Sequence, residues 1–469
     1  MLWFRQYYLG CLSHASYLVG DTSTGRAVVV DPQRDIAQYL ADAEAHGLRI
    51  ERVIETHFHA DFLSGHLELA EATGAVISYG EAAAGRAEYA IETLAHGARL
   101  SLGEVELEIR ATPGHTPESI SVVVWERAGG TVPYGVLTGD TLFIGDVGRP
   151  DLLVSIGHTA EDLGRMLYHS LHEQLLTLPD ATRVYPAHGA GSACGKNLST
   201  ETESTIGAER AGNYALQPMT EDEFVARVTE GQPAAPPYFL FAATLNRKQR
   251  DLLHEQGITP MTLDEVLAAQ KAGAAVLDTR DQVMFAAGHL RGSIDVGLDG
   301  RFAEYTGGVL APDTLIILVG EPNTEAEART RLARIGFDNV IGALDDYVDA
   351  FMQHPDLVER ASRLTVDELA ERQAAVPALQ LVDIRNPGEI EATGTIPGAV
   401  VISLPHLVGR LGELDPTVPT VVYCAGGYRS TIAASTLRAH GFADVSDLLG
   451  GIGAWGDGGR TRAAAGTAG

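Results

Sequence analysis

The sequence predicts a multidomain α/β protein: a sheet-based N-terminal domain followed by two small parallel α/β domains. Three observations lead there. A chain of 469 residues exceeds one ordinary core. Its first 215 or so residues read as short Val- and Ile-rich runs broken by turns, with few helices. The remainder repeats itself. AVLDTRDQVMFAAGHLRGSIDV (275–296) matches LVDIRNPGEIEATGTIPGAVVI (381–402), and TLIILVGEPNTEAEARTRLARIGF (314–337) matches TVVYCAGGYRSTIAASTLRAHGF (420–442). The offset of about 105 residues marks a duplicated globular domain, since solenoid repeats are far shorter.

In chain order, β runs are expected at RAVVVDP (26–32), RIERVIETH (49–57), VELEIRATPGH (105–115), SISVVVWE (119–126), YGVLTGD (134–140) and TRVYPAHG (182–189). Most end in Gly, Pro, Asp or His, so their polar residues fall in loops at the sheet edge. Helical periodicity appears in DIAQYLADAEAHG, stopped by Gly47, and in EDLGRMLYHSLHEQLLTL, ended by Pro179. From Met219 to Gly257 a short helical stretch precedes GQPAAPPYF, whose prolines favour extended chain. We read it as an extension of the first domain leading into a linker. The expected domains are 1–257, 258–357 and 358–458, with a Gly/Ala-rich tail over 459–469 that should be disordered.

Composition narrows the partners. A net charge of −28 argues against nucleic acid or anionic membrane, which require a basic face. No apolar run approaches the roughly 20 residues of a membrane span. MLWFRQYYLG lacks the basic start and cleavage site of a signal peptide. Cys11, Cys194 and Cys424 are too far apart for a disulfide framework and fit a reducing compartment, so a cytoplasmic location is expected.

The stretch THFHADFLSGH (56–66) places His57, His59 and Asp61 at alternate positions. On extended chain such residues point the same way, and a loop just beyond can fold them around one ion. Three later turns offer further donors: His115 in TPGHTPES, Asp140 in TGD and His188 in YPAHG. Each follows a β run, so all can converge on one end of a sheet.

These motifs, in this order over about the first 240 residues, resemble the metallo-β-lactamase superfamily, an αββα sandwich with metal at the sheet edges. Dinuclear members, among them glyoxalase II-type thioesterases, place a metal-binding His directly after the Asp of HxHxDH. Here that position is Phe62, which cannot ligate, and a mononuclear centre is expected. TGDTLFIGDVGRPDL (138–152) and YPAHGAGSACGKNLS (185–199) are similar to the persulfide dioxygenase branch. The resemblance implies one non-haem Fe(II) held by His57, His115 and Asp140, with His59 close by but not ligating. A facial 2-His-1-carboxylate set leaves positions for O₂ and a substrate sulfur together. Zinc, which does not cycle oxidation state, cannot serve that chemistry.

Asp61 and His188 are expected to orient ligands or water. Arg149 has two readings, neutralising an anionic persulfide or pairing with Asp151. Cys194 also has two, a place near the site entrance or a small packed thiol. Cys11 reads as buried and structural.

In the second repeat, TVVY leads into CAGGYRS and then a helical stretch. Cys424 thus lies in a nest of backbone N–H groups before a helix start, a field that favours negatively charged sulfur. Arg429 closes the loop. This segment, within about residues 360–458, resembles the rhodanese family of sulfurtransferases. The resemblance makes Cys424 the carrier of sulfane sulfur and Ala425, Gly426, Gly427, Tyr428 and Arg429 its cradle, with Asp383 and Arg385 as a supporting ion pair. The first repeat carries Val319 where Cys424 is aligned, with Glu321 and Pro322 in place of loop glycines, so it is expected to be a degenerate rhodanese domain with an architectural or interactive role.

Together the resemblances imply a persulfide dioxygenase–rhodanese fusion for sulfide detoxification. Its partners are a low-molecular-weight thiol persulfide, O₂ and sulfite, with no nucleic acid and no membrane. The degenerate repeat and the proline-rich extension are candidates for homo-oligomer assembly. The alternative is a glyoxalase II-like zinc thioester hydrolase fused to a sulfurtransferase; a sulfur carrier with a relic metal domain is the third.

Overall fold

The computed structural model describes residues 1–152, 157–253, 257–458, 460, 462 and 463. The chain forms two compact units, Met1–Gln232 with Phe239–His254, and Pro233–Tyr238 with Glu255–Gly469.

The first unit is built on two six-stranded sheets. One runs in the order β1 (Leu2–Leu9), β2 (His14–Asp21), β3 (Arg26–Val30), β4 (Arg49–Ile54), β5 (Val76–Gly80), β6 (Glu92–Leu94). It is antiparallel from β1 to β3 and parallel from β3 to β6. The other contains β7 (Arg99–Ser101), β8 (Glu106–Ala111), β9 (Ile120–Trp125), β10 (Gly135–Gly139), β11 (Arg183–Pro186) and β12 (Ser204–Thr205), each beside the next.

Period-two alternation decides which faces meet. Ala15, Tyr17 and Val19 of β2 point inward and pack with Val28, Val30 and Ile54 against Leu107, Ile109, Val122, Val124 and Leu137 of the opposite sheet. Leu18 points the other way, joining Val29 and Val53 against Tyr39 and Ala43 of the helix Ala37–Ala45. On the second sheet Val123, Val136 and Val184 face outward to Leu167, Leu171, Leu175 and Phe224. The product is the αββα sandwich expected from the sequence.

Three local features differ from the expectation. The strands β1 and β2 were not anticipated. The residues of β1 are mostly half-buried and those of β2 buried throughout, so neither strand alternates cleanly between core and solvent. The helix expected up to Pro179 is α-helical only over Ala160–His169 and continues as a π-helical turn, Ser170–Leu175. This turn keeps Leu171 and Leu175 in the core while Ser170 donates to the Pro113 carbonyl at 2.6 Å. The extension also returns to the first unit. After the helix Glu221–Thr229, opened by a Thr220/Glu223 capping box, the proline-rich stretch is non-helical as expected, but an unanticipated second helix, Tyr238–Leu245, follows it.

In the second unit the duplication is visible in the topology. The first repeat contains β13 (Pro260–Met261), β14 (Ala275–Asp278), β15 (His289–Leu290), β16 (Ile294–Asp295), β17 (Ile316–Val319) and β18 (Val340–Leu344). After the short β19 (Val358–Glu359), which pairs with β15, the second contains β20 (Ser362–Leu364), β21 (Gln380–Asp383), β22 (Val400–Val401), β23 (Thr420–Tyr423) and β24 (Val445–Leu448). The sheets run β13-β18-β17-β14-β16 and β20-β24-β23-β21-β22, the same permutation, with parallel neighbours throughout. Each repeat also carries a buried Asp-x-Arg pair, Asp278–Arg280 and Asp383–Arg385, both at 2.6 Å.

Register corrects one alignment. Val319 pairs with Asp278 as Tyr423 pairs with Asp383, so the counterpart of Cys424 is Gly320, not Val319. The first repeat still has no thiol there. A Cβ on Gly320 would lie 2.5 Å from Thr279 Oγ1, so the position has no room for a cysteine side chain. Of the expected tail, only Arg460, Arg462 and Ala463 are among the described residues; Ala463 forms an antiparallel bridge with Thr395.

Candidate metal centre and sulfur-carrying loop

The loops after β4, β8, β10 and β11 bring His57, His115, Asp140 and His188 to one edge of the sandwich, all buried. One ligand atom each from His57, His115 and Asp140 lies within 4.8 Å of the others. His115 Nε2 stands 3.5 Å from Asp140 Oδ2. Donors bound about 2.0–2.2 Å from a shared ion at tetrahedral angles stand about 3.3–3.6 Å apart.

Each imidazole is held by its other nitrogen. His57 Nδ1 donates to Thr56 Oγ1 at 3.0 Å, and that hydroxyl donates to Asp31 Oδ2 at 2.8 Å. His115 Nδ1 donates to the Arg149 carbonyl at 2.9 Å and His188 Nδ1 to the Ser13 carbonyl at 3.1 Å. This tautomer leaves every Nε2 lone pair for a cation. Burial, and after it the neighbouring imidazoles of His59 and His115, hold His57 well below the usual imidazole range, so it is neutral. His57 Nε2 and both Asp140 oxygens are buried with no hydrogen-bond partner among the described residues, an arrangement that is costly without a cation. The donor set fits a divalent metal.

His59 faces elsewhere. Its Nε2 lies 3.0 Å from Asp31 Oδ1 and 3.3 Å from Glu55 Oε2. Burial opposes a charge there, but the carboxylates of Asp31 and Glu55 outweigh it and raise His59 well above the usual range. A protonated imidazole cannot ligate. Phe62 is buried, its ring 4.0 Å from that of His14 and 4.4 Å from that of His59. Gly148 is required sterically, since a Cβ would come within 1.8 Å of the Asp140 carbonyl oxygen.

Of the two readings for Arg149, pairing is the one formed: its guanidinium meets both Asp151 oxygens at 2.7 Å and donates to the Ala193 carbonyl at 3.0 Å. Cys194 lies inside the site and not at an entrance. It is 1% exposed, grouped with Asp61 and His188, and burial followed by the charges of Asp61 and Asp140 pushes its thiol well up. Cys11, expected to be buried, is only half-buried. It sits in the turn between β1 and β2, where the chain reverses at the rim of the sheet.

Three contributors escaped sequence reading. Asp31, at φ +50°, anchors both Thr56 and His59. Glu55 meets His59 and His66. Asn246, in the extension, donates to the carbonyls of His59 and Phe62 and accepts from Ser64 N–H.

In the second unit Cys424 follows β23 and is buried, while Ala425 and Gly426 are exposed. Gly427, at φ +98°, donates its N–H to Cys424 Sγ at 3.1 Å. The helix Arg429–Ala439 starts directly behind the loop. Arg429 is clamped by Glu389 through two bonds of 2.7 and 2.6 Å, a partner the sequence did not reveal. Arg363, also missed, donates to the Gly427 carbonyl at 3.3 Å and pairs with Asp447. The Tyr428 hydroxyl donates to the Gly297 carbonyl of the first repeat at 3.1 Å.

Residues 9–188 match the metallo-beta-lactamase superfamily, and residues 262–354 and 365–457 each match the rhodanese-like domain. The mitochondrial persulfide dioxygenase ETHE1 of Bos taurus is 32% identical over 237 residues, covering 50% of this chain and 83% of that protein. The chain belongs to the metallo-β-lactamase superfamily, with a persulfide-dioxygenase-like domain fused to two rhodanese-like domains. A solved metallo-beta-lactamase from Staphylococcus aureus covers 73% of this fusion and 98% of its own chain, at 34% identity and a TM-score of 0.66. The hydroxyacylglutathione hydrolase of Polaromonas sp. is 35% identical over 174 residues, 37% of the fusion and 61% of that protein. The fusion therefore has the architecture of a sulfur-metabolism enzyme. Among the described residues no helix is long and apolar enough to cross a membrane.

Proposed function

We propose that the first domain is a non-haem iron dioxygenase that converts a low-molecular-weight thiol persulfide to sulfite and thiol, and that Cys424 then makes thiosulfate. The balanced reaction is RSSH + O₂ + H₂O → RSH + SO₃²⁻ + 2H⁺. The observation that carries the reading is the donor set itself. His57, His115 and Asp140 converge, while His59 is held by Asp31 and Glu55. Fe(II) bound there supplies one centre at which O₂ and the persulfide sulfur can meet. The chain's own part is orientation: Thr56 and the Arg149 carbonyl hold the two imidazoles, and Phe62 presents an apolar wall beside His59.

In the second step the sulfur of Cys424 attacks the outer sulfur of a second persulfide, releasing RSH. The outer sulfur of the resulting Cys424 persulfide then passes to sulfite, giving thiosulfate and restoring the thiol. The Gly427 N–H is placed to stabilise negative charge on that sulfur. Fusion raises the concentration of this acceptor near the source of sulfite. The free cysteines fit a reducing compartment, and we place the reaction in the cytoplasm.

Cys424→Ser tests the coupling. It should leave O₂ uptake intact and shift the product from thiosulfate to sulfite; unchanged thiosulfate output would refute it. Similarity to hydroxyacylglutathione hydrolase favours thioester hydrolysis as the competing reading. Metal analysis with a thioester assay separates the two.

A further inference from the structure

In the first repeat, β16 ends on a buried carboxyl to which the fold gives no counter-ion. Asp295 is 1% exposed, and its Oδ1 has no hydrogen-bond partner among the described residues. Charged groups face it from four elements. Asp278, its register partner on β14, is paired with Arg280 at 2.6 Å. Asp447 of β24 is paired with Arg363 of β20 at 3.0 Å. Arg438, on the helix Arg429–Ala439, donates to the Val445 carbonyl at 3.2 Å. Among the described residues neither Arg363 nor Arg438 forms an ion pair with Asp295. A charge on Asp295 would therefore stand beside two carboxylates in a buried place, a costly arrangement that protonation relieves.

The same residue reaches the helix behind the sulfur-carrying loop. Asp295 N–H donates to Ser435 Oγ at 3.0 Å, a buried bond spanning 140 residues. The Thr431 hydroxyl, one turn earlier on that helix, faces the Asp295 carboxyl. It donates to the Tyr428 carbonyl at 2.9 Å, which also accepts from Thr431 N–H at 3.2 Å. A hydroxyl has one proton, so while Thr431 holds Tyr428 it can only accept from Asp295. A carboxylic acid supplies that donor, whereas a carboxylate competes for the Thr431 proton. Tyr428 lies between Arg429 and Gly427, whose N–H donates to Cys424 Sγ. Its own hydroxyl donates to the carbonyl of Gly297, two residues beyond Asp295.

We propose that Asp295 of the cysteine-less repeat is a positioning residue for the Cys424 loop. As a neutral acid it donates to Thr431, which holds the Tyr428 carbonyl and with it the cradle. On losing its proton to solvent it draws the Thr431 hydroxyl away, and the cradle loosens. The effect on sulfur transfer rests on the reading of Cys424 as a carrier. Burial above all, with Asp278 and Asp447 opposing Thr431 and Arg363, pushes this carboxyl up to about 7. The supporting form is complete below the ordinary carboxylate range and is lost as pH rises through about 7.

The test compares the full-length wild type with Asp295→Asn, an isostere that cannot ionise, and Thr431→Val, which keeps the shape without the hydroxyl. Three quantities are read between about pH 6 and 8.5. They are the infrared band of a protonated carboxyl, the protection of the Gly427 amide against hydrogen exchange, and anaerobic thiosulfate formation from sulfite and glutathione persulfide. The difference spectrum against Asp295→Asn should show the wild-type band at the acid end and its loss at the alkaline end. Over the same range the ratio of wild type to Asp295→Asn, in Gly427 protection and in transfer rate, should fall about three- to tenfold, the worth of one hydrogen bond. Thr431→Val should behave at every pH as the wild type does at the alkaline end. A wild type without the band at the acid end, or a ratio that stays constant with pH, would overturn the proposal. If neither the wild type nor Asp295→Asn forms thiosulfate, the carrier reading of Cys424 fails, and the band and the Gly427 protection still decide the role of Asp295.

Discussion

The side-chain amide of Asn246 donates to the backbone carbonyl of His59 at 2.8 Å. A second bond to the Phe62 carbonyl, also 2.8 Å, and one accepted from Ser64 N–H at 2.9 Å tie the extension to the loop that carries His57. The pairing is buried and spans 187 residues of sequence. Partners that hydrogen-bond a metal ligand directly are worth about 10–100-fold in affinity, and Asn246 acts one step further out, on the loop backbone. Asn246→Ala should therefore weaken iron binding by about tenfold or less while leaving Cys424 transfer unchanged, measured by competition with a chelator. Unaltered affinity would mean that the loop holds its shape without the clamp.

Gly427 donates its N–H to the sulfur of Cys424, the proposed carrier, and sits at φ +98°, a left-handed conformation that side chains rarely adopt. A Cβ there would also approach the Gly450 backbone nitrogen to 3.2 Å. Gly427→Ala should slow sulfur transfer to sulfite by at least tenfold with O₂ uptake intact. Equal transfer rates in the two proteins would show that the loop tolerates the change.

His289 gives the first repeat a pH dependence. Burial is the main cause that lowers its imidazole from the usual 6.5 to about 4, and its ring stacks on Phe285 at 3.8 Å. The folded state therefore resists protonation that the unfolded state accepts near pH 6.5. Its stabilising contribution is fully present above pH 6.5 and is lost as pH falls toward 4, amounting to about 3 kcal/mol. Unfolding of the first repeat, followed by hydrogen exchange between pH 7 and 4.5, should show this loss, and His289→Gln should flatten it. A slope that survives the substitution would assign it to other groups.

The candidate donors His57, His115 and Asp140 and the proposed carrier Cys424 were legible because each sits in a short motif at the end of a β run, where local spacing alone brings chemistry to an edge. The partners that orient them were not. Asp31, Asn246 and Glu389 reach their targets across 25, 187 and 40 residues, and no local pattern marks such pairs. Arg149 and Cys194 were noticed but left open, since only the fold shows that one pins the other's loop. The two N-terminal strands lacked clean alternation and so left no period-two signal. The shift from Val319 to Gly320 as the counterpart of Cys424 required strand register, which sequence matching across loops of unequal composition does not supply.

The central claim is that one iron, held by His57, His115 and Asp140, oxidises a persulfide. Its most direct test is O₂ uptake by iron-loaded protein on adding glutathione persulfide, with iron, sulfite and thiosulfate counted in the same vessel. The account predicts about one iron per chain and one O₂ consumed for each sulfite or thiosulfate formed, with His115→Ala losing both iron and uptake. A protein that holds its iron yet consumes no O₂ with any persulfide, and instead hydrolyses a glutathione thioester when loaded with zinc, would contradict it.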